Sequence, residues 1–67
     1  MRKSDIVYKR KTLKLLTILN DNGDLDNDIK NILKMNSAKQ INRYLATSEK
    51  IREKYKEYIK TLIMQFM

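Results

Sequence analysis

The sequence contains no cysteine, no histidine and no proline, and its only glycine is Gly23. Without cysteine, neither a disulfide framework nor a thiolate metal site can form, which suits a reducing compartment. Without histidine, the commonest zinc ligand and the usual general base near neutral pH are both missing. Without proline, and with a single glycine, little interrupts helix. No glycine-rich loop is available to cradle phosphate. Glu49, Glu53 and Glu57 fall four apart on one expected helix. Two carboxylates can in principle run acid–base chemistry, but 67 residues offer little room for a pocket. The expectation is a protein that is not an enzyme and holds no cofactor and no metal.

Long apolar runs are also missing. No stretch approaches the ~18 residues that a membrane span needs. Arg2 and Lys3 are followed by Asp5 and further cations rather than by a signal peptide's apolar centre. The expected location is cytoplasmic, with no membrane partner.

What the chain does have is positive charge, +7 in formal terms. It is unevenly placed. Cations crowd residues 1–20 and 29–67, whereas residues 21–28 carry Asp21, Asp24, Asp26 and Asp28 and no cation. Carboxylates are stabilising in the first turn of a helix, so this acidic interruption reads as a turn followed by a helix start. The length allows one domain, residues 1–67. A chain of this size buries only about 60% of its unfolded surface and is marginal without a staple or a partner.

The pattern predicts an all-α protein of four short helices, at about residues 4–20, 24–34, 37–46 and 48–66. Ser4 or Asp5 would cap the first, whose apolar second half (Leu13, Leu15, Leu16, Ile18, Leu19) should be buried. Its first half, Tyr8-Lys9-Arg10-Lys11, reads as a polar, basic face, able to meet phosphate or anionic lipid but more often plain solvated surface. Asn22 and Gly23 suit the positive φ of a helix end. Asp24 is the expected cap of the second helix, which carries an inward stripe of Leu25, Ile29, Ile32 and Leu33. Asp24, Asp26 and Asp28 superficially resemble the start of a calcium loop. The glycine and glutamate such a loop requires are replaced by Ile29 and Met35, so capping is the better account. Asn36 or Ser37 would cap the third helix, with Ala38, Ile41 and Leu45 inward and Tyr44 at the rim. Thr47 or Ser48 would cap the fourth, where Glu49–Arg52, Glu53–Lys56 and Glu57–Lys60 form weak pairs at i,i+3.

Residues 29–45 carry the functional signal. Two short helices joined by a brief turn, the second presenting Lys39, Gln40, Asn42 and Arg43 outward, is how a reading helix is offered to a DNA groove. The run from Leu13 to Leu19, then Asn22-Gly23-Asp24-Leu25, Ile29 to Leu33 and Ile41-Asn42-Arg43-Tyr44-Leu45 resembles the three-helix core of small bacterial and phage helix-turn-helix regulators. The resemblance covers residues 12–47. The chain departs from that pattern in three ways. Lys30 or Asn31 stands where the first motif helix has a small residue, Lys34 or Met35 stands where its turn has glycine, and the turn is one residue longer than the commonest form if Leu33 and Ile41 both lie in the core. No strand pair for a wing follows Leu45.

The resemblance implies a sequence-specific, double-stranded-DNA-binding regulator, of the repressor, copy-control or excision type found in phages, plasmids and mobile elements. It implies base reading by Lys39, Asn42 and Arg43, since Arg pairs bidentately with guanine and Asn with adenine. Lys30, Lys34, Asn36, Ser37 and Gln40 are the implied backbone contacts, with Asn36 and Ser37 at a helix N-terminus suited to phosphate. The rival class is a small helical interaction module, or an inhibitor of a host protein, using the apolar C-terminal helix. There Tyr55, Ile59, Leu62 and Phe66 are candidates for a homodimer contact or for another protein partner.

Overall fold

The computed structural model describes residues 2–65, so Phe66 of the expected dimer contact lies outside the described residues. Four helices follow in order: α1 (Lys3–Leu19), α2 (Asp26–Leu33), α3 (Ala38–Thr47) and α4 (Glu49–Gln65), with no strand among the described residues. The chain is all-α, as expected. α1 is the central element and packs against each of the other three.

Every element contributes to one small core. Leu16 of α1, Leu25 of the following turn, Ile32 of α2 and Ile41 of α3 are fully buried, with Leu19 and Ile51 of α4 nearly so. Thr12, Leu16 and Leu19 are spaced by four and three, which sets them on one face of α1. Two side chains expected inside are not. Ile18 and Leu33 are each more than half exposed, at 54% and 53%. Each is adjacent in sequence to a buried residue, Leu19 for Ile18 and Ile32 for Leu33, and the turn of about 100° per residue in an α-helix rotates it off the core face.

The junction between α1 and α2 also differs from expectation. Asn22 and Gly23 do take positive φ, at 56° and 81°. Asp24, however, does not cap α2, which begins two residues later behind Leu25 and has no side-chain cap. Asn20 organises the turn instead. Its Oδ1 accepts the Leu25 N–H at 3.0 Å and its Nδ2 donates to Asp26 Oδ1 at 2.9 Å. Asp24 faces α4, where its carboxylate pairs with Lys54 Nζ at 2.5 Å and its carbonyl accepts from Lys50 Nζ. Its other oxygen accepts the Asp21 N–H. The ammonium of Lys54 is the stronger partner for a carboxylate, and it holds the Asp24 carboxyl below its ordinary value, with the Asp21 backbone adding to that.

α1 likewise starts without the expected Ser4 or Asp5 cap. Arg2 is the flanking residue, with extended backbone and no capping bond. Asp5 reaches across to α3 instead. The C-terminal helix begins behind Ser48, whose Oγ accepts the Ile51 N–H at 3.4 Å. The expected i,i+3 pairs along α4 are not formed, and the ion pair between Lys54 and Asp24 is the only one among the described residues.

Candidate nucleic-acid interface

α3 is held on three sides. From below, Ile41 is fully buried and Ala38 and Leu45 are half-buried, at spacings of three and four. At its N-terminus, Ser37 Oγ accepts the Gln40 N–H at 3.1 Å, the expected cap. Asp5 of α1 accepts the Ala38 N–H at 2.8 Å. Along the α2 side, the Tyr44 hydroxyl donates to Asp28 Oδ1 at 2.6 Å and accepts from Asn31 Nδ2 at 3.1 Å. The Asp28 carboxylate stabilises the protonated phenol and, with burial, raises Tyr44 above its ordinary value, while the Asn31 bond opposes that. Tyr44 thus ties α3 to α2 from the rim position expected of it.

What remains outward is Lys39, Gln40, Asn42 and Arg43, all exposed. Lys39, Gln40 and Arg43 share a shallow groove with Met35, Ser37 and Thr47. Asn42 lies on the opposite edge of α3, in a depression with Tyr8, Ala38 and Lys39. Lys39 therefore joins both edges. Lys30 and Lys34 are exposed on α2 and at its end, and neither lines that groove. Asn36 donates its backbone N–H to Gln40 Oε1 at 3.3 Å, so these two residues already partner each other.

The electrostatics of the N-terminal end of α3 follow from Asp5. A helix N-terminus attracts anions through its free N–H groups. Here a carboxylate of the same chain occupies the Ala38 N–H and a hydroxyl occupies that of Gln40. The charge that α3 presents is consequently that of Lys39 and Arg43, more than that of its terminus.

The basic stretch of α1 divides. Lys9 is half-buried and its ammonium donates to the Leu33 and Met35 carbonyls at 2.7 and 2.9 Å, closing the C-terminal end of α2. Arg10, Lys11 and Lys14 are exposed. Tyr8, Asp5 and Thr47 also lie at this surface, although the sequence reads Asp5 and Thr47 as candidate caps and Tyr8 as part of the basic face of the first helix. Tyr8 and Asp5 carry one usable signal, a three-residue spacing that sets them on one face of α1 beside Thr12.

No protein-family model matches the chain, and neither a curated protein nor a solved structure resembles it at a significant level. Among the described residues, no helix is long and apolar enough to cross a membrane.

Proposed function

We propose that this chain is a sequence-specific double-stranded-DNA-binding regulator in which α3 is the reading helix. The observation that carries the reading is the outward face of α3. Lys39, Gln40, Asn42 and Arg43 are all exposed, on a helix fixed from behind by Ile41, Ser37 and Tyr44. Neither Lys39 nor Arg43 is held in an ion pair among the described residues. Four residues separate α2 from α3, within the span of a helix-turn-helix connection.

Mechanism follows from the two kinds of contact. Lysines of α2 and its end, with the free cations of α1, neutralise phosphates and supply affinity that falls with salt. Arg43 and Asn42 choose the site through base edges. Occupying a promoter or origin then blocks other proteins sterically. A gel-shift of the purified protein on its own upstream region, across a salt series, tests this directly. Arg43→Ala should cost about 1–3 kcal/mol of specific binding and relax sequence choice. Lys30→Ala should weaken all duplexes alike and reduce the salt slope by about one. Unchanged specific affinity for Arg43→Ala removes α3 from the reading role.

A second reading, a protein-interaction module built on α4, is favoured by exposed Tyr55, Ile63 and Met64. It becomes the better account if no duplex is retarded at any salt concentration.

A further inference from the structure

We propose that the groove between the C-terminal end of α1 and α4 docks a basic, amphipathic segment of a partner protein. Its floor is apolar. Ile18, more than half exposed, lies beside half-buried Tyr58 and nearly buried Leu19, and the wall as a whole is more apolar than polar. Around that floor stand the carboxylates of Asp21, Glu53 and Glu57, all exposed. Among the described residues, Lys54 is the one cation in the lining, and its ammonium is committed to Asp24.

Charge selects the occupant. Of the eight side-chain carboxylates, Asp5, Asp24, Asp26 and Asp28 already hold a hydrogen bond or an ion pair. Asp21, Glu49, Glu53 and Glu57 hold none among the described residues, and all of these but Glu49 line this groove. A chain of net charge +7 thus turns negative at an apolar groove, which attracts a cationic partner and repels phosphate. An amphipathic helix lays its apolar side chains on such a floor and sets lysine or arginine against the rim. The groove shares no residue with the depression that holds Lys39, Gln40 and Arg43, so the docking stands whether or not α3 reads DNA. It also lies across α4 from Tyr55. Glu53, Glu57 and Thr61 follow at intervals of four, whereas Tyr55 falls midway between the first two and points to the other side of the helix.

The probe is a fluorescein-labelled peptide of about 18 residues, or about five helical turns, made of leucine and lysine in an amphipathic pattern. Its twin carries glutamate in place of lysine, and fluorescence anisotropy reads the binding of both. Net charge alone favours the acidic twin on a +7 protein, whereas the groove favours the basic peptide. The natural protein should bind the basic peptide more tightly than the twin, and less tightly as salt rises. Glu53→Gln should weaken that binding by about 1.4- to 5-fold, the worth of one exposed ion pair. Asp21→Asn, Glu53→Gln and Glu57→Gln together should weaken it by about 3- to 125-fold on the same basis. Ile18→Ala should weaken it by about fourfold for each methylene that the peptide buries. Glu49→Gln, outside the groove, should leave it unchanged. Every variant is first shown to keep its helical circular dichroism. Tighter binding of the acidic twin, or no binding of the basic peptide at low salt, overturns the proposal. So does a triple variant that binds as the natural protein does. A loss from Glu49→Gln equal to that from Glu53→Gln marks bulk charge and overturns it as well. Self-association of the peptide-free protein at low salt, absent from the triple variant, would seat a second copy in the groove and overturn the foreign partner.

Discussion

The side chains that matter most to this fold are small polar ones at the ends of helices. Asn20 satisfies the Leu25 N–H and holds Asp26, so one amide closes α1 and opens the turn into α2. Asn20→Ala should therefore lower stability by about 0.5–2 kcal/mol, the range for losing a capping side chain, measured by urea denaturation. Gly23 has φ of 81°, and a Cβ there would lie 2.9 Å from Asp26 Oδ2. Asp24 acts by charge. Its carboxyl titrates below its ordinary value because Lys54 stabilises the ionised form. A carboxyl lowered on folding contributes stability that is present above its unfolded value and is lost as pH falls through its folded value. Asp24→Asn should reduce the melting temperature at neutral pH. The gap to the natural protein should then close in acid, below the ordinary carboxylate range. The pair is solvent-accessible, so the effect should be modest and should shrink with salt. A gap of the same size at every pH would show that Asn is disturbing the turn in some other way.

At the scale of elements, the helices were legible in the sequence because of their apolar spacing, supported at α3 by its cap. Ile29 and Ile32, Ala38, Ile41 and Leu45, and Ser37 as a cap all lie where periodicity puts them. The caps of α1 and α2 were not legible, and the reason is tertiary. Asp5 and Asp24 are well suited to cap the helices beside them, yet each finds a partner on a different helix, Ala38 N–H for one and Lys54 for the other. Local sequence cannot rank a neighbouring N–H against an ammonium brought close by folding. The candidate reading face was legible for the same reason as the helices, whereas its edge was not. Tyr8 sits in a run of cations that reads as solvent-facing, and only packing reveals its contact with Asn42. Lys9 is the clearest case. It was indistinguishable from Arg10 and Lys11 in the sequence, but its two bonds to carbonyls at the end of α2 make it structural. Lys9→Met should cost about 0.5–1.5 kcal/mol, the net range for a hydrogen bond, because one of its two acceptors is exposed and the other part-buried. Lys14→Met, on an exposed position, should change stability by less than about 0.5 kcal/mol. Equal effects from the two substitutions would contradict the distinction between them.

Viewed as a whole molecule, the protein spreads a small core over an elongated body, 41 × 23 × 18 Å, and α4 shares in that core mainly through Ile51 and Tyr58. Its later turns carry Ile59 and Leu62, half-buried but outside the core, with Ile63 and Met64 exposed at 54% and 75%. Stability should be unevenly distributed in consequence. Ile51→Ala should cost about 2–5 kcal/mol and Ile63→Ala less than about 0.5 kcal/mol in dilute solution. Amide exchange should be faster beyond Ile59 than around Ile41, because backbone bonds with little buried apolar cover open first. The same uncovered face predicts how two copies would behave. Pairing through Tyr55, Ile59 and Leu62 would bury apolar surface, and the melting temperature should then rise with protein concentration. Each copy carries a charge of +7, so repulsion opposes that pairing and added salt should strengthen it. The proposed duplex binding would respond to salt in the opposite sense. Leu62→Glu should abolish the concentration dependence, because a charge buried in the contact is costly, and should leave the melting temperature of the dilute protein nearly unchanged. Sedimentation at low and high salt checks both signs. A monomer at every concentration and salt would rule out pairing of two copies through the apolar end of α4.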